Sequence, residues 1–246
     1  MDSDPPAVAP GTDREQAAVQ MARRGQGSLA VVDEEGLFHG LIPPWRMLAV
    51  LLAEHEEDLA RLGGFLAGTS EARSAAEEDV AQRLWHRLPW LLVGLAGAMG
   101  TAAIVGSFEA ELRRVLLLSF FIPAVVYMAD AVGTQTEALV IRGIAVGVPV
   151  GRILGRELAT GGITGLVIAA GFLPFAYGVW GDGRVALTVA IALFASCSTA
   201  ALVGMGLPYL LHRLGHDPAF GSGPLGTVIQ DLLSILIYFG VALLLV

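Results

Sequence analysis

The chain has 246 residues, of which 54% are hydrophobic and 15% charged, and its mean hydropathy is +0.66. That balance excludes an ordinary soluble domain and a disordered segment, and one cysteine, Cys197, excludes a disulfide scaffold. The formal charge of -8 is confined to the front: residues 1–84 hold fifteen Asp and Glu against seven Arg, whereas residues 85–246 hold eight of each. So acidic a face disfavours nucleic acid and suits cations.

The first residues are polar and lack the positive start and apolar stretch of a cleaved signal peptide, so no export of the front end is expected. Residues 1–11 read as a polar tail. From 12 to 62 the pattern is that of a small α/β unit: a helix to about Arg24, a strand over Ser28–Val32, a turn at Asp33–Gly36, a strand over Leu37–Ile42 and a helix after Pro43 and Pro44. Residues 63–84, with Glu71, Glu77, Glu78 and Asp79, read as an acidic connector helix running into the first apolar segment.

Residues 85–246 carry five apolar segments of spanning length: Leu88–Phe108, Val115 to about Pro149, Leu158–Gly181, Val185–Leu211 and Pro224–Val246. The expected fold is an all-α membrane domain of five transmembrane helices behind a small α/β segment. Arg83, Arg87, Arg142, Arg152, Arg156 and Arg213 fall on one side of such a bundle and Arg113, Arg114 and Arg184 on the other, which places the N-terminus in the cytoplasm. Gly143, Gly147, Gly151 and Gly155 recur every fourth residue and Gly161 and Gly165 repeat the spacing, the pattern of closely packed helix backbones.

A carboxylate in hydrocarbon costs about 2.5–3.5 kcal/mol on insertion scales, so an acid inside a span marks a functional site. In the last segment Thr227, Asp231, Ser234 and Tyr238 form one helical stripe, and in the second Tyr127, Asp130, Thr134 and Glu137 do the same. At about 1.5 Å per residue, Asp231 and Asp130 both fall in the cytoplasmic half of the membrane. These acids either pair with Arg142 or another span's donors, or they face a cation from solution. Hard divalent ions take oxygen ligands, and magnesium keeps most of its waters while accepting one or two carboxylates. One Asp231 per chain, doubled by a two-fold axis, meets that demand.

His212 and His216 lack a third ligand nearby in sequence and read as an interfacial cap before Gly215, while Cys197 reads as a small packing residue. No Ser/His/Asp order, phosphate loop or nucleotide fingerprint supports an enzyme.

The segments SGPLGTVIQDLLSILIYFGVA (222–242), RLGHDPAF (213–220) and LPWLLVGLAGAMGTAAIVGSFEAEL (88–112) resemble the MgtE-type magnesium channels and transporters. The second span, MADAVGTQTEALVIRG, retains Gly133, Gln135 and Arg142 of that pattern but places Asp130 where Asn is usual. The resemblance implies an ion pathway in which Asp231 holds hydrated magnesium, Thr227 supplies a further ligand, and Asp130 and Glu137 add charge. Gln135, Ser234, Tyr238, Thr134 and Gly223 would line it.

GSLAVVDEEGLFHGLI, from Gly27, resembles one CBS motif, a module that works in pairs, so a second copy is expected from a partner chain. Glu54, Glu56, Glu57 and Asp58, with Glu77, Glu78 and Asp79, are either a regulatory divalent-ion site between subunits or a solvated face. The expectation is a homodimeric channel or facilitated transporter for divalent cations in the cell membrane, with Mg2+ as the transported ion and a candidate regulatory ion. A proton- or sodium-coupled exporter and a non-transporting sensor are the alternatives.

Overall fold

The computed structural model describes residues 7–25, 27–63, 79–145 and 148–246, without the side chains of Glu15, Glu54, Asp58, Leu62 and Val150. The front unit runs β1 (Ala7–Val8), α1 (Arg14–Arg24), β2 (Leu29–Val32), β3 (Phe38–Ile42) and α2 (Pro44–Leu62). β2 is central, parallel to β1 and antiparallel to β3, with Leu29 opposite Ile42. The two helices pack on this sheet through Ala17, Ala18, Met21 and Met47, which close over Val8 and Leu29. β1 lies inside the stretch expected to be a polar tail. A two-residue strand is too short to show alternation, and only its partner β2 makes it legible.

The β2–β3 turn is held by Asp33. One of its carboxylate oxygens accepts from the Glu35 and Leu37 amides at 3.1 and 2.8 Å, and the other lies 2.7 Å from His39 Nε2. The His39 contact first, then the Leu37 amide, hold this carboxyl below its ordinary 3.8.

Five long helices follow: α3 (Val80–Ser107), then a short α4 (Glu109–Arg114), α5 (Leu117–Ala145), α6 (Val150–Trp180), α7 (Gly183–Arg213) and α8 (Ser222–Leu245). All five long ones have the length and apolar composition to cross a membrane. α7 is the central helix, packed against α5, α6 and α8, while α3 leans on α8 and has no buried residue. Phe121 and Val125 of α5, Val189 and Leu193 of α7, and Ile235 and Phe239 of α8 form the main core. Its outer end is closed by Phe108 stacked on Phe239, centroids 4.3 Å apart, and by Phe121 against Trp180.

Helix starts follow local chemistry. Asp182 caps α7, accepting from the Arg184 and Val185 amides at 2.9 and 3.1 Å. Pro224 sits in the first turn of α8, where its missing N–H has no intrahelical acceptor to lose.

Bare glycine backbones set how closely the helices approach, though not along the whole expected face. A Cβ at Gly161 would strike Ala201, and one at Gly165 would lie 3.0 Å from the Phe194 carbonyl, so this pair packs α6 on α7. The fourfold repeat of Gly143, Gly147, Gly151 and Gly155 is not one helical face. α5 ends at Ala145, α6 restarts after Pro149, and nothing lies within 4 Å of the Cβ positions of Gly151 and Gly155. The closest backbone contact joins α7 to α5, where a Cβ at Gly204 would run into the Gly133 carbonyl.

Because that obstacle is main chain, Gly204→Ala must shift a helix, and a loss of about 1–3 kcal/mol is expected, read as a lower melting temperature in detergent; an unchanged transition would show that the α5–α7 contact is not tight. Asp33 gives a second test. Its depressed value means that its bonds contribute above the ordinary carboxylate range and are lost as pH falls through the lowered value, so the turn should loosen only on strong acidification. A carboxyl-carbon NMR titration of Asp33 with its midpoint at or above the ordinary value would refute this.

Candidate cation site

α5 and α8 bring three of the expected residues together. The Thr227 hydroxyl donates to Asp130 Oδ1 at 3.1 Å, joining the two helices, and Asp231 lies near enough to Asp130 for the two charges to interact. Asp231 and Asp130 are partly exposed and Thr227 exposed. Among the described residues no arginine is ion-paired with Asp130 or Asp231.

Beside them is a cavity of about 640 Å³ walled by α3, α5 and α8, lined by Thr134, Glu137, Gly223, Thr227 and Asp231 opposite Trp90, Gly94 and Gly97, with Arg87 also on its wall. Six waters at roughly 30 Å³ each need about 180 Å³, so the cavity has room for an ion with its first hydration shell. No group of three or more His, Cys, Asp and Glu able to hold a metal directly occurs among the described residues. Two carboxylates, a hydroxyl and space for water suit an ion that keeps its waters.

Other expected lining residues lie elsewhere. Ser234 and Tyr238 keep 2% and 0% of their exposure and are sealed in the bundle, Tyr238 donating to the Leu118 carbonyl at 2.6 Å. They share the Thr227–Asp231 stripe, but in the outer half α5 and α7 close over that side of α8. Gln135 is exposed and outside the cavity lining. Two residues that the stripe did not single out belong to the neighbourhood: Gln230 and Ser222, both buried. A lone amide in an apolar span was the available signal for Gln230.

The inner end of the bundle meets the front unit. Arg61 of α2 forms ion pairs with Glu57 and with Asp217 in the loop between α7 and α8. Phe220 of that loop packs edge-on to Trp90 of α3, at 5.9 Å between centroids. Gly221 then turns into α8 with φ of +69°, and a Cβ there would strike the Trp90 ring. His212 and His216 line a separate cavity of about 980 Å³ with Arg61 and Asp217; Gly215, at φ +78°, closes the helix end between them. Of the acidic regulatory candidates, Glu57 is committed to Arg61, and Asp79 begins α3 without a side-chain capping bond. Glu77, Glu78 and the side chains of Glu54 and Asp58 lie outside what the structure describes. Cys197 is buried against Val132 and Ala201, the packing role expected of it.

Residues 122–241 match the MgtE family, described as divalent cation transporters, and residues 1–53 match the CBS domain. The chain carries an MgtE-family membrane domain behind a CBS domain. It is 32% identical over 235 residues to the magnesium transporter MgtE of Bacillus subtilis, covering 94% of this chain and 51% of that protein. It is 35% identical over 248 residues to the magnesium transporter MgtE of Thermus thermophilus, covering 97% and 53%. The chain thus spans about half the length of the curated relatives it matches. It is a multi-pass membrane protein, with the CBS domain on the cytoplasmic side. The MgtE match takes in most of α5 and of α8, the two helices that hold Asp130, Thr227 and Asp231.

Proposed function

We propose that this chain conducts divalent cations, magnesium first among them, into the cytoplasm through a pathway along α5 and α8. One observation carries the reading: Asp231, in an apolar span and, among the described residues, without an arginine partner, faces a cavity large enough for a hydrated ion and stands beside Asp130 and Thr227. Similarity to proteins named as magnesium transporters supports magnesium as the substrate. The ion passes with its inner water shell largely intact, held through its waters by Asp231, Asp130 and Thr227. Inward movement is driven by the membrane potential, which supplies about 2.3 kcal/mol per elementary charge per 100 mV, about twice that for a divalent ion.

The working unit is a homodimer within lipid. α3 buries no residue within one chain, and the CBS domain leaves Phe38, Leu41, Trp45, Leu48 and Leu52 exposed, an apolar face suited to a second copy. Gating by intracellular magnesium acts through the acidic connector at 63–84 and through the Arg61–Asp217 pair, which links α2 to the loop preceding α8. Residues 85–246 form the conducting domain.

Magnesium uptake into proteoliposomes tests the site. Asp231→Asn keeps the size of the side chain and removes its charge, and losing a charged ligand worth about 1.5–3 kcal/mol should slow uptake roughly tenfold or more. Equal rates for wild type and variant would remove Asp231 from the pathway. For gating, neutralising Glu77, Glu78 and Asp79 together should shift the dose response for inhibition by internal magnesium, and an unmoved curve would rule out the connector as sensor.

A further inference from the structure

Glu137 of α5 and Gln230 of α8 differ from the cluster beside them in being buried. They keep 3% and 2% of their exposure, and in each the Oε1 oxygen has no hydrogen-bond partner. The two side chains meet over Gly226, where a Cβ would lie 3.3 Å from Glu137 Oε2 and 3.6 Å from Gln230 Nε2. On the α5 side a Cβ at Gly133 would strike the Gln230 amide. Ser222, fully buried, stands one turn before Gly226 on α8. Glu137 also forms part of the cavity wall that Asp231 shares.

A buried acceptor without a donor costs about 1–3 kcal/mol, and more when charged. Each of these oxygens is open to an electropositive partner, and their side chains stand side by side over Gly226. A pair so nearly sealed from solvent suits hydrated magnesium poorly, because that ion gives up its waters reluctantly. Born hydration energy scales with the square of charge, so a monovalent ion of equal radius is stripped for about a quarter of the cost. One positive charge also balances one carboxylate.

We propose that Glu137, Gln230 and Ser222 form a second, dehydrated subsite for a small monovalent cation, entered from the cavity that serves the divalent ion. Its occupant neutralises Glu137, one of the three acids that attract a divalent ion, so sodium and magnesium oppose each other across the α5–α8 contact. The proposal rests on the cation-pathway reading for its route of entry and for that opposition.

The test uses the purified full chain, with ²²Na⁺ binding in detergent and magnesium uptake in proteoliposomes, sodium being replaced by N-methylglucamine at constant ionic strength. Saturable ²²Na⁺ binding is expected for wild type and for Asp231→Asn. Loss is expected in Glu137→Gln and in Gln230→Met, two variants of similar volume that back each other up if one fails to elute as a folded species. The apparent magnesium affinity of the wild type should be several-fold weaker in sodium than in N-methylglucamine. No saturable sodium binding, binding that survives in a folded Glu137→Gln, or binding lost in Asp231→Asn would overturn the subsite. Magnesium uptake indifferent to sodium would overturn it too while leaving the pathway standing; saturable sodium binding by a wild type that moves no magnesium would instead sink the pathway and keep the subsite.

Discussion

In a membrane, helices gain little from hiding apolar surface from one another, since lipid tails are equally apolar, and association depends on close contact and on polar groups. In this chain the contact is made by bare backbone. Gly204 of α7 rests against the Gly133 carbonyl of α5, and Gly133 and Gly226 leave just enough space for the Gln230 amide between α5 and α8. Side chains at these positions would force the helices apart. Thr227 could not then reach Asp130, and Asp130 and Asp231 would no longer stand beside each other.

That arrangement is costly by itself. Each carboxylate in the hydrocarbon region costs about 2.5–3.5 kcal/mol on insertion scales, and the mutual repulsion of Asp130 and Asp231 adds to it. Arg87 stands on the same cavity wall, but among the described residues no arginine is ion-paired with Asp130 or Asp231. Arg142, the basic residue of α5, is exposed instead. Among the described residues internal pairing therefore does not account for Asp130 and Asp231, and cations from solution are a physically consistent counter-charge. The mixture of environments is equally informative: Asp231 is partly exposed on a cavity with room for water, whereas Glu137 on the same wall and Gln230 behind it are buried. Ions that differ in their cost of dehydration would be sorted by such a pair of environments.

Much of this was legible in the residues. Runs of uncharged sequence gave three spans and apolar length gave the other two despite Asp130, Glu137, Arg142 and Asp231, because a length of about 20 apolar residues has few other uses. Alternation and the Asp33–Gly36 turn gave the β2–β3 hairpin. Other features depended on tertiary context. Thr227 and Tyr238 differ by only about 20° around the helix axis at 3.6 residues per turn, yet one is exposed and the other sealed. Periodicity reports direction and not depth, and the outer half of α8 is closed by Phe108, Leu118 and their neighbours. The glycine repeat from Gly143 to Gly155 failed for a similar reason, since its spacing continues through a helix break that Pro149 imposes. Gln230 lies about 100° from Asp231 and fell outside the stripe.

The connection between the CBS domain and α8 is short enough for its energetics to be argued. Asp217 pairs with Arg61 while its carboxylate also accepts from the Ala219 amide at 2.8 Å, so the loop is stiff where α2 touches it. From there Phe220 and Gly221 bear on Trp90, and the first turn of α8 begins at once. A displacement of α2 would thus be felt at the residues flanking the cation site without passing through flexible chain. The pair itself is partly exposed, at 25% and 29% for the two side chains, and ion pairs of that kind contribute about 0–1 kcal/mol. A contact so weak cannot lock the loop, but it can bias an equilibrium between two positions that lie within a few kcal/mol of each other. In the proposed reading this is the property a gate needs, since ions gathering on an acidic connector supply only modest energies of their own.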